Sequence, residues 1–467
     1  AHFIKLGEAM MAHKSMKKLI LAVSIAAALG CVSGGALADD GDRVEELEAR
    51  VAELEALVRT LVETQQQSTA ALTTAEIETR AAVIAEEKVI EVMAEQMAEH
   101  QAMEAEKSHK HSYKFGGYVK ADVIYSDFSG GAVANSSAGR DFYIPGTVPV
   151  GGEGESYLDL HAKESRINFK SEHNLDSGAK MTTFVEMDFL LSGQGNERVS
   201  NSFAPRLRHA FFTYNKWLFG QTWMTFFNVG ALPENLDFVG PAESTVFGRQ
   251  MMVRYTNGPW QFSVENPETT ITPYEGGGRI VADDSRVPDL VGRYNLNRDW
   301  GNFTVAAIAR ELRYENSADG IKDTTSSYGI SLSGKFKIGD KDDLRWMATT
   351  GKGLGRYLGL NTANAAVLDQ DGNLNAIDSS AIFGSYRHFW SDKWRSNLTL
   401  GYLTVDNPTE LTGTGVTTEA SSLHINLIYS PVPKMDFGIE YLRANRELES
   451  GADSDLDRYQ FSAKYAF

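Results

Sequence analysis

From Tyr113 onward the chain reads with a period of two. Tyr113, Phe115, Val119, Ala121, Val123 and Tyr125 alternate with Lys114, Tyr118, Lys120 and Asp122. Such alternation describes a strand with one apolar and one polar face. The end of the chain repeats it, with Tyr459, Phe461, Ala463, Tyr465 and Phe467 set against Arg458, Gln460, Ser462 and Lys464. Connections between the strand-like runs are unequal. Short ones fall at Asn215-Lys216, Asn257-Gly258-Pro259, Asn297-Arg298-Asp299, Gly339-Asp340-Lys341, Ser391-Asp392-Lys393 and Pro431-Val432-Pro433. Long polar ones lie near residues 127–156, 224–248, 267–287 and 354–379. A soluble sandwich would have similar turns at both ends; short turns on one rim and long loops on the other mark a membrane barrel. Trp217, Trp260, Trp300, Trp390 and Trp394, five of the seven tryptophans, sit beside short turns, as an interfacial aromatic girdle requires. Counting strands between turns predicts an all-β, sixteen-stranded antiparallel transmembrane barrel over residues 113–467, with seven short turns and eight loops. An even number of strands in a closed sheet leaves no edge exposed to lipid.

Residues 39–112 follow a different period. Val44, Leu47, Val51, Leu54, Val58 and Leu61 are spaced as a heptad seam, and Val83, Ile90, Met93 and Met97 resume a weaker one after a break at Gln65 and Ser68. One chain cannot bury such a seam, so an α-helical coiled coil between copies is expected, on the periplasmic side where both barrel termini fall. Valine paired with leucine formally favours two strands. The segment is strongly acidic, 18 acids against 7 bases. His100, His109 and His111 read as solvated linker rather than a metal site, because no carboxylate or cysteine stands at ligand spacing. Ahead of it, Lys14, Lys17 and Lys18 precede the apolar run Leu19–Gly30, and Ala36-Leu37-Ala38 supplies a cleavage site. Residues 1–38 are therefore expected to be upstream residues and a signal peptide, with Met16 the start and Asp39 the first mature residue. Cys31, the single cysteine, stands in an imperfect lipoprotein motif and excludes a disulfide framework.

The net charge of −17 excludes a nucleic-acid footprint. There is no HExxH, G-x-S-x-G or Walker motif, so no enzyme is expected, and no cofactor or metal. Gly351–Gly355 is glycine-rich without a strand-to-helix context, and Asp369–Asn373 matches a calcium loop only in part, so both read as plain loops. Sixteen strands leave an aqueous channel, which makes transport the expected function. The third loop, from near Gln221 to near Gln250, is too apolar for solvent: Trp223, Phe226, Phe227, Val229, Leu232, Leu236, Phe238, Val239 and Phe247. Folded into the lumen it would narrow the pore as a constriction loop that includes Phe227, with Glu234, Asp237 and Glu243 facing basic residues across the opening. Alternation puts Lys120, Arg166, Arg206, Arg208, Arg254 and Arg293 on the polar face, because a lipid-facing arginine at mid-bilayer costs roughly 2–4 kcal/mol.

The stretch DFYIPGTVPVGG at Asp141–Gly152, Glu164-Ser165-Arg166 and the third-loop run from Gly220 to Thr256 resemble the DcaP-like outer-membrane porins, and the resemblance extends over nearly the whole chain. It implies a homotrimeric sixteen-stranded channel with a periplasmic coiled coil, set in outer-membrane lipid and lipopolysaccharide, that admits small anionic solutes such as dicarboxylates. It also implies that the arginines above form a basic wall facing the third loop, and that the strand ending at Phe467 engages the barrel-assembly machinery. The barrel is itself net acidic, so anion preference leans on the resemblance. A general or cation-preferring porin, or a structural tether acting through the coil, are the alternative readings.

Overall fold

The computed structural model describes residues 111–467 apart from 192–194, with five isolated helical positions: Ala52, Ala56, Lys88, Met93 and Met97. The expected signal segment and the coiled-coil seam, apart from Met93 and Met97, lie outside the described residues.

Strand β1 is His111–Phe128, and β2 runs in two pieces, Glu155–His161 and Arg166–Asn174. The next six are β3 Lys180–Asp188, β4 Arg206–Tyr214, β5 Trp217–Trp223, β6 Arg249–Asn257, β7 Trp260–Glu265 and β8 Asp289–Arg298. Then come β9 Gly301–Asn316, β10 Ile321–Ile338, β11 Asp342–Lys352 and β12 Asp378–Phe389. The last four are β13 Trp394–Asp406, β14 Thr417–Tyr429, β15 Met435–Leu448 and β16 Asp453–Ala466. Because β2 is broken, the 17 ladder segments of the main sheet make sixteen strands. Each pairs antiparallel with the next, and β16 returns to β1 from Tyr118 opposite Ala466 to Phe128 opposite Leu456. The expected closed barrel is present.

Its burial is inverted relative to a soluble protein. Val119, Val123, Tyr125, Leu158, Leu160, Tyr459 and Phe461 are exposed on the outer wall, while Lys120, Asp122, Arg208, Arg310 and Arg458 are buried inside. That arrangement suits an apolar solvent outside and charge inside. All five turn-proximal tryptophans are exposed. At the opposite rim the connections are not uniformly long. β9 joins β10, and β15 joins β16, through only 317–320 and 449–452, and in the first case the strands themselves are long, 16 and 18 residues.

The long loops carry structure that alternation did not predict. Thr269–Thr272 and Ile280–Ala282 of the fourth loop join Ala366–Leu368 and Leu374–Ala376 of the sixth in a four-stranded sheet, through parallel pairing of Ile271 with Ala366. Ile271, Leu312, Ala365 and Leu374 form its buried base. Inside the barrel, Phe142 and Tyr143 of the first loop, Phe226, Phe227 and Val246 of the third, and Leu354 and Tyr357 of the sixth pack with inward side chains such as Met347, Phe383 and Leu403. The lumen therefore holds an apolar core of its own, which is what the third loop's composition requires.

Candidate permeation site

The site begins with an irregularity in β2. His161 pairs with Asp122 and Arg166 with Tyr118, so four residues of β2 oppose three of β1. Ser165 fills the gap: its hydroxyl accepts from the Lys120 amide at 3.1 Å and donates to the Lys120 carbonyl at 3.3 Å. One extra residue reverses the side-chain alternation. Leu158 and Leu160 are exposed before the bulge, Ile167 and Phe169 after it, and Arg166 consequently points inward. A second register shift, at Glu186/Met187 opposite β4, buries both Arg208 and His209.

These two irregularities concentrate guanidinium groups on one side of the lumen. Arg206 forks onto Asp188 at 2.9 and 2.8 Å. Arg208, fully buried, reaches Glu186 and Asp188, each at 2.7 Å. Arg166 approaches Glu186 at 3.7 Å. Arg249, at the start of β6, lies 4.5 Å from the Trp223 ring centre and 5.7 Å from that of Phe247, and forms no ion pair among the described residues. Arg208 also stands over Trp223, at 5.7 Å, and over Phe238, at 5.5 Å. Three guanidiniums thus share two carboxylates, and a fourth, Arg249, stands on the aromatic surface supplied by the third loop.

The loop itself follows the inner wall strand by strand. Asn228 donates to Thr304 of β9 and Ser333 of β10, at 3.2 and 3.0 Å. Arg345 of β11 donates to the Leu232 carbonyl at 2.5 Å. Glu234 meets Arg387 of β12 at 3.0 Å and Arg395 of β13 at 2.6 Å. Burial alone would raise the Glu234 carboxyl, but hydrogen bonds and charge from Arg395 and Arg387 outweigh it and hold it below the usual range. Glu440 of β15 accepts the Leu236 amide at 2.7 Å, and Lys120 of β1 donates to the Leu236 carbonyl at 2.7 Å. Asp237 accepts the amides of Tyr143, Val239 and Gly240 at 2.8, 3.2 and 3.1 Å, with Arg458 at 3.7 Å. Glu243 is fully buried, accepts from Ser422 at 2.8 Å, and its carboxyl is pushed up to about 7 by burial. Gly401 of β13 permits this approach, since a Cβ there would lie 2.0 Å from Glu243 Oε1.

The expected residues accordingly fall into groups. Arg166, Arg206 and Arg208 converge; Lys120 lies near Arg166 but is neutralised by Glu164 at 2.9 Å and Asp122 at 3.3 Å. Arg254 donates to the Trp223 carbonyl and to Thr225, and Arg293 to the Phe227 carbonyl at 2.5 Å, so both grip the base of the third loop. Phe227 is buried between Trp223 and Phe247. Glu234 and Asp237 face bases, whereas Glu243 meets hydroxyls.

A model of the DcaP outer membrane protein family matches residues 45–467. The chain belongs to this family. It has the fold of an outer-membrane channel, and the outer membrane is its place. The crystal structure of the outer membrane channel DcaP of Acinetobacter baumannii is similar, with a TM-score of 0.65 and 22% identity over 77% of this chain and 98% of that one. Weaker likenesses are to a loop-deletion mutant of OmpT of Vibrio cholerae (TM-score 0.49, 11% identity, 77% and 100% covered) and an anion-selective porin from Comamonas acidovorans (0.45, 12%, 77% and 100%). No curated protein matches the chain.

Sequence reasoning missed Arg249, Arg345, Arg387 and Arg395. The last three alternate with outward residues on β11, β12 and β13, so the period-two argument that found Arg166 would have reached them. Arg249 carried no such signal, because it lies where a strand ends.

Proposed function

We propose that the protein is a passive diffusion channel for small hydrophilic solutes that prefers anions, dicarboxylates among them. The observation that supports this is the group Arg166, Arg206, Arg208 and Arg249, four cations against the two carboxylates of Glu186 and Asp188. A guanidinium stays charged at any working pH and offers a fork matched to a carboxylate. At an effective dielectric near 20, one unit-charge contact at 4 Å is worth roughly 4 kcal/mol before desolvation is subtracted. The acids of the third loop are engaged elsewhere, Glu234 by Arg387 and Arg395, Asp237 by amides and Arg458, and Glu243 by hydroxyls, so they moderate the field across the lumen without cancelling this cluster. Permeation demands attraction that is also easily released. The family resemblance supports a homotrimer seated in lipid and lipopolysaccharide, with the coiled coil in the periplasm and the strand ending at Phe467 as the assembly handle.

The reversal potential of the purified channel in a potassium chloride gradient across a planar bilayer tests the reading. An anion-preferring potential, diminished in Arg249→Gln, is expected. A cation-preferring or unselective wild type would replace it with the general-porin reading.

A further inference from the structure

The start of β1 overhangs the closed barrel. β16 pairs with β1 only from Tyr118 onward, and beyond it the Phe467 amide reaches the Gly117 carbonyl at 3.1 Å. Among the described residues, His111–Gly116 is laddered along one edge alone, by β2. A strand end held on one side opens more readily than one held on both. The last rung of that overhang is a pair of imidazoles. His111, which the sequence placed in a solvated linker, is the first residue of β1, and His173 stands directly opposite it, beside the Leu175–Ala179 turn.

The two rings converge through their nitrogens. His111 Nδ1 and His173 Nδ1 lie 2.7 Å apart, with ring centres 4.9 Å apart. His173 is fixed from two sides: its Nε2 is 3.1 Å from the Ser171 hydroxyl, and the Tyr113 ring meets it edge-on with centres 5.6 Å apart. With the Nε2 hydrogen given to Ser171, His173 Nδ1 turns a lone pair toward His111. The donors here are nitrogen only. Glu172 is next to His173 and so lies on the other face of the strand, where it takes Lys170 at 2.5 Å and Ser112 at 3.2 Å. Paired imidazoles suit zinc or copper and not the oxygen-seeking calcium or magnesium. Two nitrogens bound to one such ion at the tetrahedral angle stand about 3.3 Å apart, so the rings need part by only about 0.6 Å. Both histidines are half-exposed, which leaves an ion a way in.

We propose that His111 and His173 form a two-imidazole site for a late first-row divalent ion, zinc or copper, which clamps the overhanging start of β1 to β2. Both Nδ1 atoms bind the ion and solvent completes its shell. His111 then carries its hydrogen on Nε2, so each ring stays neutral and no proton is lost. Ser171 is a positioning residue, because its hydroxyl accepts the His173 Nε2 hydrogen and sets the binding tautomer.

The test uses the full-length protein in detergent, stripped with a chelator, then titrated with zinc by calorimetry and with copper(II) by electron paramagnetic resonance. Wild type is expected to bind zinc and, at one equivalent of copper, to show splitting from two imidazole nitrogens. The chain has ten histidines, so variants assign the signal. His173→Ala should weaken zinc by at least about tenfold and abolish the two-nitrogen pattern, whereas His100→Ala should keep both. Ser171→Ala should weaken zinc about tenfold, the lower end for a lost outer-shell partner, while the two-nitrogen pattern survives. Zinc should also slow amide exchange of His111–Gly116 in wild type and not in His173→Ala. Heat modifiability on a gel establishes that each variant is a folded barrel. Folded wild type that binds no zinc, or a folded His173→Ala that binds zinc and copper as wild type does, would overturn the site. Affinity unchanged in Ser171→Ala would overturn the role given to the serine.

Discussion

Two arginines 41 positions apart in the sequence illustrate how burial and pairing divide the work of one charge cluster. Arg208 is fully buried between Glu186 and Asp188, so Arg208→Ala would leave buried Glu186 with only Arg166 at 3.7 Å, while Asp188 keeps its Arg206 fork. Removing one partner of such a set typically costs about 3–5 kcal/mol. Arg249 forms no ion pair among the described residues, and its loss strands no carboxylate there. Thermal unfolding in detergent should therefore fall sharply for Arg208→Ala and hardly at all for Arg249→Ala, while the reversal potential responds to Arg249. Glu243 gives a pH signature. Burial raises its folded pKa from 4.5 to about 7, so its contribution is fully present below 4.5 and is lost as pH rises through 7. Glu243→Gln, which cannot ionise, should match wild type in unfolding temperature at pH 4 and exceed it increasingly between pH 5 and 8. A constant difference across that range would show that Glu243 does not titrate there. Neither contrast was legible beforehand. Sequence alternation identifies which arginines face inward, but not which acid each one meets, because partners come from strands paired through long-range register.

At the scale of elements, register is the decisive variable. The extra residue in β2 turns Arg166 from the lipid face to the lumen while Ser165 repairs the ladder. Deleting Lys163 would leave three residues opposite three, so the pairs on both sides keep their register and Arg166 stays opposite Tyr118 on the lumen face. Ile167 and Phe169 would likewise stay opposite Gly117 and Phe115, facing outward. The deletion variant should therefore yield a heat-modifiable barrel on a gel, as should Lys163→Ala; loss of the barrel in the deletion alone would mean that the bulge is itself needed for assembly. Strand positions and the apolar third loop were readable from period and composition, since both reflect the solvent each face meets. The bulge was not, because Ala162–Ser165 carries no glycine or proline to mark it. The four-stranded sheet of the fourth and sixth loops was equally hidden: its strands are three or four residues long, too short to establish a period.

At the scale of the whole molecule, closure and strand number followed from counting turns, and the structure agrees. The interior did not follow, since a count of strands says nothing of how much lumen the loops occupy. Closure of β1 on β16 is complete without any residue before His111. A chain lacking residues 39–108 should accordingly insert and conduct, with unit conductance close to that of the full protein. Loss of conductance would mean that the segment takes part in the barrel's own folding. The β9–β10 pair has a further consequence. These are long strands, of 16 and 18 residues, joined by four residues in which the Cα of Gly320 meets no neighbour on its open side. The fourth and sixth loops pack along its strands, through Asp284 at Glu315 and Leu374 at Asp323, and its tip at 317–320 is exposed above them. An epitope inserted after Ala318 should be stained by antibody on intact cells, and staining only after permeabilisation would mean that the barrel sits the other way up.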